Sequence, residues 1–157
     1  SQTMKLMKLN QVYLVPTIIA GKYVTKMAKV EGYYPEVVRP KALAIGPKIQ
    51  GTFSKAYKKG VPIAFGTDAG VFPHGQNADE FQYMVEAGMP FFEALQSATI
   101  TNAAILNRED KLGQLKKGFY ADIIAVKGKL DEKSVSKLKS IEFVMKNGVI
   151  YKQSKTQ

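Results

Sequence analysis

The residues best suited to chemistry lie in one short segment, residues 66–75, with the sequence Gly-Thr-Asp-Ala-Gly-Val-Phe-Pro-His-Gly. Asp68 directly follows the apolar run 62–67, which predicts a buried strand. Ligands bind at the carboxyl ends of strands in α/β sheets and barrels. Asp68 is therefore a candidate metal ligand and general base. Because Asp-Ala-Gly is also good turn chemistry, the alternative that Asp68 only turns the chain stays open.

Two further residues are candidates for substrate binding. Thr17 lies near the end of the apolar run 12–19 and could line the same site as Asp68, or it could hydrogen-bond locally. His74 could bind a substrate carboxylate, ligate a metal or carry a proton. The simpler alternative for His74 is a loop histidine bonded to the backbone.

The composition excludes several kinds of site. The chain has no cysteine, so disulfides, thiolate nucleophiles and cysteine-ligated zinc are ruled out. A zinc site needs three or four donors and commonly uses several histidines. The chain has one histidine and cannot build a histidine-rich site alone.

The charge balance raises the question of an anionic partner. Lys and Arg total 23 against 13 Asp and Glu, a net charge of +10. The positive charges are dispersed, and the two arginines are Arg39 and Arg108. Surfaces that recognise bases depend on the bidentate arginine side chain, so a solvated lysine-rich surface is favoured over nucleic-acid binding.

The sequence also bears on membranes and compartment. No run of eighteen apolar residues is present, so no membrane partner is expected. The N-terminal residues do not resemble a secretory signal. This favours a cytoplasmic location and leaves the compartment open.

Periodicity predicts an α/β fold for most of the chain. The runs 12–19 and 62–67 predict parallel strands buried on both faces. Helical patterns lie before, between and after them. They cover residues 3–9, 22–34 with a loop, 36–59 with an interruption at Gly46-Pro47, 79–87 and 90–106. The Met and Phe residues at 81, 84, 89, 91 and 92 are expected in the core. Strands alternating with helices are typical of right-handed βαβ units.

The character of the sequence changes after residue 113. Apolar runs at 121–126, 141–146 and 149–152 predict strands, with a short helical stretch at 132–139 between the first two. Asn147-Gly148 predicts a two-residue hairpin. The tail is therefore expected to be an antiparallel unit that ends in frayed polar residues, 153–157.

Residues 60–75, GVPIAFGTDAGVFPHG, resemble the last barrel strand of the amidohydrolase superfamily. The most similar branch is that of the imidazolonepropionase-like and Xaa-Pro dipeptidase (prolidase-like) enzymes. Further segments resemble the same family in the same order along the chain. They are residues 13–21, 77–106, 111–126 and 141–151.

The resemblance implies a fold and a chemistry. Residues 1–110 would form the last two strands and flanking helices of a TIM-like barrel, and residues 111–157 part of a small β-sandwich-type domain. The enzymes bind one or two divalent metals, usually zinc, and a water activated by the metal attacks an amide carbon. Asp68 would contact the metal and accept a proton, and His74 would lie near the substrate. The expected parent is a hydrolase of C–N bonds, plausibly in Xaa-Pro or related dipeptides.

The departures from the family pattern qualify this expectation. The family's His-x-His pair, its bridging lysine or glutamate and its two later histidines have no counterpart here. A complete barrel takes about 250 residues. We therefore expect roughly the last third of such an enzyme, which is inactive alone and does not hold zinc tightly. We also expect it to associate, as a homo-oligomer or with the missing barrel portion. The alternative is a non-catalytic, barrel-derived interaction module.

Overall fold

The structure is a computed structural model that describes residues 1–154. Within this range the helices are α1 (Gln2–Leu9), α2 (Ile18–Met27), α3 (Arg39–Lys58), α4 (Asp79–Glu86), α5 (Phe91–Ala98) and α6 (Ile100–Ile105). The strands are β1 (Ile123–Val126), β2 (Ile141–Lys146) and β3 (Val149–Gln153), with a 3-10 helix at Val135–Lys139. No helix of this part of the chain is long and apolar enough to cross a membrane.

The two apolar runs pair in parallel, as the sequence predicts, but over a shorter length. Leu14 N–H donates to the Pro62 carbonyl at 2.8 Å, and Ala64 N–H donates to the Leu14 carbonyl at 3.0 Å. The expected strand 12–19 is wrong in extent, since α2 already begins at Ile18. Pro16 has no N–H with which to extend the ladder. Residues 1–154 show mixed α/β content without a closed barrel.

Helices α2 and α3 pack closely because small residues face each other. A Cβ atom on Gly46 would lie 2.7 Å from Thr25 Oγ1 and 3.0 Å from the Gly21 carbonyl oxygen. The Thr25 hydroxyl donates to the Ala42 carbonyl and accepts from Gly46 N–H, both at 2.9 Å. The expected interruption of α3 at Gly46-Pro47 is therefore wrong. The helix continues through Pro47, and a side chain of α2 bonds to its backbone one residue earlier.

The core forms where α3, α4 and α5 surround the paired segments. Its buried members are Ile18, Phe53, Ile63, Met84, Met89 and Ala94. Phe91 is also buried, in a second cluster with Val135 and Leu138. Phe92 was expected in the core, yet 47% of it is exposed. Phe91 and Ala94 occupy the inward face of α5, so Phe92, the residue after Phe91, points outward.

The tail forms the predicted antiparallel sheet in the order β1-β2-β3. Asn147 and Gly148 have φ of 50° and 79°, the left-handed pair of a type I′ turn. The Asp122 carboxylate accepts Asn147 N–H at 2.7 Å and forms an ion pair with Lys146. Gln153 belongs to β3 and is not frayed, and residues 155–157 lie outside the described residues. The domain boundary at residues 110 and 111 stays a prediction.

Candidate functional site

Thr17 and Asp68 both lie beyond the C-terminal end of the parallel pair. Leu14 and Ile63 form the parallel bridge. Thr17 lies three residues after Leu14, and Asp68 lies five residues after Ile63. Both residues have left-handed backbone, with φ of 47° at Thr17 and 56° at Asp68. This conformation is tolerated by aspartate but is unusual for a β-branched residue such as Thr17, where it costs on the order of 1–3 kcal/mol. Strain of this kind clusters at functional sites, so it supports the hypothesis of a site at this end of the parallel pair.

The segment that carries Asp68 is anchored on its other side by α5 and α6. Phe65 N–H donates to the Ser97 carbonyl at 3.2 Å, and the Asn102 side-chain amide donates to the Phe65 carbonyl at 3.0 Å. The Phe65 ring stacks on Phe81 with the ring centroids 4.2 Å apart. The backbone immediately before Asp68 is therefore held from two directions.

The loop after Asp68 is closed by Asn77. Its side-chain amide donates to Thr67 Oγ1 at 3.0 Å, and its Oδ1 accepts Gly75 N–H at 3.3 Å. Phe72, in the middle of the loop, is buried against Tyr23 and the start of α2. One polar clamp and one apolar anchor thus fix the loop that contains His74.

Asp68 turns the chain through its backbone, and its side chain is left available for chemistry. Val71 N–H donates to the Asp68 carbonyl at 3.2 Å, so the backbone does turn there. The carboxylate itself is exposed, and none of the side-chain hydrogen bonds or ion pairs within residues 1–154 involves it. A side chain that only capped the turn would hydrogen-bond to neighbouring N–H groups. His74 is also exposed, further along the same loop.

Glu80 is not among the candidates from the sequence, yet it is fully buried in the first turn of α4. Its Oε1 accepts Ile18 N–H at 2.9 Å, and its Oε2 accepts Ile19 N–H at 2.7 Å. Burial raises the pKa of the Glu80 carboxyl to about 7, although the two N–H donors act to lower it. The spacing of Glu80 and the core residue Met84, four residues apart on one helical face, could have indicated that Glu80 is buried but not which groups it binds.

The raised pKa predicts a pH-dependent stability. Between about 4.5 and 7 the folded protein binds the Glu80 proton and the unfolded chain does not. The contribution of Glu80 to the free energy of unfolding is therefore full below pH 4.5 and falls by about 3 kcal/mol as the pH rises to 7. Urea denaturation of the intact protein and of Glu80→Gln across this range measures it. We expect the difference between the two curves to change with pH, and a constant difference would contradict the assignment.

Comparison with known proteins identifies the family of this chain. The model of the amidohydrolase family matches residues 3–152. The chain belongs to the amidohydrolase family. A search of curated proteins found no significant match.

Solved structures resemble this amidohydrolase chain closely. A Xaa-Pro dipeptidase with methionine bound in its active site is 52% identical, with a TM-score of 0.91, over 96% of this chain and 37% of that one. A prolidase in complex with N-methylphosphonate-L-proline is 26% identical, with a TM-score of 0.81, over 96% and 37%. The ochratoxinase of A. niger is 29% identical, with a TM-score of 0.72, over 100% and 36%. The chain therefore spans just over a third of the length of each of these structures.

Amidohydrolases are generally metal-dependent, so the donor set of this chain needs a test. Within residues 1–154, no group of three or more His, Asp or Glu side chains is placed to hold a metal ion. A catalytic zinc site takes three protein ligands and one open position. The exposed Asp68 carboxylate suits one ligand position, and the described residues do not form a complete site.

Proposed function

We propose that this chain is the part of a metal-dependent amidohydrolase that supplies Asp68 to the active site. The observation that carries the proposal is the placement of Asp68. Its exposed carboxylate lies after the parallel bridge on a left-handed backbone, in a chain 52% identical to a Xaa-Pro dipeptidase. Residues 1–110 would form the last two strands and flanking helices of a TIM-like barrel, and residues 111–157 would be part of a small β-sandwich-type domain.

The proposed substrate is a Xaa-Pro or related dipeptide. Two of the similar structures hold an amino acid or an amino-acid derivative, namely methionine and N-methylphosphonate-L-proline. These ligands support a small substrate derived from amino acids. The Thr17 hydroxyl and the His74 imidazole are the side chains of this chain that we assign to substrate binding.

The proposed reaction is hydrolysis of the C–N bond. A divalent cation held in part by Asp68, most commonly zinc, would supply Lewis acidity to the carbonyl and would lower the pKa of a bound water. Asp68 would be one ligand and would accept the proton of the attacking water as its oxygen adds to the carbonyl carbon. The C–N bond then breaks, and the proton passes to the leaving nitrogen. The hydrogen bonds of Asn77 to the Thr67 hydroxyl and of Asn102 to the Phe65 carbonyl hold the segment that precedes Asp68.

A hydrolysis assay of the intact protein tests this function. We expect metal-depleted protein to be inactive and protein reloaded with Zn²⁺ to release proline from Xaa-Pro dipeptides. Matched Xaa-Ala dipeptides report whether the proline ring is selected. Absence of hydrolysis of any dipeptide by the reloaded intact protein would overturn the proposal.

A second candidate function, a non-catalytic interaction module, is supported by the open edge of the parallel pair. Val12, Tyr13 and Val15 are exposed beside the bridged Leu14. An unpaired edge is a template for joining another chain. Association with a second copy or with the rest of the barrel stays a prediction. The same assay separates the two functions, because an interaction module hydrolyses no dipeptide when supplied with metal.

A further inference from the structure

Helix α2 begins directly after Thr17, at the edge where Asp68 lies. The first N–H groups of a helix have no partner within the helix and need a cap. Threonine is one of the preferred capping residues, through its side-chain oxygen. Thr17 occupies the capping position but has left-handed backbone and makes no capping hydrogen bond. The Thr17 hydroxyl therefore does not cap α2, although its position before the helix suggests that role.

Glu80 performs the capping instead. It lies on α4, far away in sequence, and each of its two carboxylate oxygens accepts one N–H, from Ile18 and Ile19. A carboxylate at a helix N-terminus is also favoured by the helix dipole. The side chain is fully buried, so both interactions are shielded from water. Each of the two oxygens has its own donor, and a shorter side chain could not reach both donors equally well.

We propose that Glu80 is a positioning residue for the site. By capping α2 in place of Thr17, it holds the Thr17 backbone in its left-handed conformation and leaves the hydroxyl available to substrate. The assignment of Thr17 to substrate rests on the proposed function. The capping itself rests on the described hydrogen bonds and is tested separately.

Other charged groups surround Glu80 and must be separated from it in any pH measurement. Asp79, Tyr83 and Glu86 lie on α4 itself. Lys139, on the 3-10 helix, forms an ion pair with Asp79, and Lys22, on α2, lies 3.8 Å from Glu86. Glu86→Gln is therefore a matched control, since it removes a carboxylate from the same helix without touching the Ile18 and Ile19 N–H groups.

The first experiment needs no enzymatic activity. In the intact protein labelled with ¹⁵N-isoleucine, we expect the Ile18 and Ile19 amide protons to lie downfield and to shift together as Glu80 titrates. Glu80→Gln abolishes that shift, and Glu86→Gln retains it. If Glu80→Gln does not fold, the titration of the wild type and of Glu80→Asp still decides. Ile18 and Ile19 resonances that neither respond to pH in the wild type nor move on Glu80→Gln or Glu80→Asp substitution would overturn the capping assignment.

The second experiment tests whether Glu80 acts through Thr17. Loss of one neutral hydrogen bond to substrate corresponds to about a 3- to 10-fold fall in kcat/KM for Thr17→Val. We expect Glu80→Gln to cost at least as much, and Thr17→Val to have no further effect when added to it. Fully multiplicative losses would overturn the positioning role. If even the wild type hydrolyses no dipeptide, the proposed function fails, whereas the amide titration still tests the cap.

Discussion

Replacing Asp68 by asparagine is expected to lower kcat/KM for the proposed dipeptide substrate by roughly 100- to 10,000-fold in the intact protein. Asparagine keeps the shape of the side chain but cannot accept the proton of the attacking water. It would also replace the proposed anionic metal ligand by a neutral one. Among residues 1–154 the exposed carboxylate makes no hydrogen bond that its loss would disturb, so we expect the fold to be retained.

The matched control for this prediction is Asp110→Asn. Asp110 is an exposed aspartate in the loop after α6, remote in sequence from both paired segments. We expect its substitution to leave kcat/KM within a factor of about two, consistent with the small effects of surface substitutions. Steady-state kinetics with reloaded metal, together with a melting curve for each variant, make the comparison. Equal activities of the two variants would remove Asp68 from the mechanism.

Gly46→Ala is expected to destabilise the protein by about 1–3 kcal/mol. The added methyl group would lie 2.7 Å from Thr25 Oγ1 and 3.0 Å from the Gly21 carbonyl oxygen, closer than van der Waals contact allows. The second of these atoms belongs to the backbone, so α2 and α3 must move apart. The movement would also strain the hydrogen bonds of the Thr25 hydroxyl to α3.

Gly51→Ala in the same helix is the control and should have the opposite sign. Gly51 is exposed, and no atom lies within 4 Å of the position of an added Cβ. Alanine there is expected to stabilise α3 by about 0.5–1 kcal/mol, since glycine loses more backbone freedom on folding. Denaturation midpoints of both variants of the intact protein test the pair. A Gly46→Ala variant as stable as Gly51→Ala would show that the contact between the helices is loose.

Local patterns predicted much of the fold. The Asn147-Gly148 turn relies on the backbone freedom of two adjacent residues, and the hairpin forms as expected. Helix α4 follows the predicted range closely because its amphipathic repeat and its acidic first turn lie within a few residues of each other. The position of Asp68 after an apolar run was enough to predict the carboxyl edge of the parallel pair.

Other features depend on residues far apart in sequence and could not be predicted in this way. The apolar run that includes Ile18 and Ile19 suits a strand or a buried helix equally well. Glu80 decides for the helix, since it binds their N–H groups from more than sixty residues away. The continuity of α3 through Pro47 likewise involves Thr25 of another helix. Contacts of this kind leave no periodic signal.

Anomalous diffraction at the zinc absorption edge, from crystals of the intact zinc-loaded protein, tests the central claim most directly. We predict a peak about 2.0–2.2 Å from a carboxylate oxygen of Asp68, the distance of a direct zinc–oxygen bond. The remaining ligands would come from residues outside this chain. A fully occupied zinc site whose ligands do not include Asp68 would contradict the account.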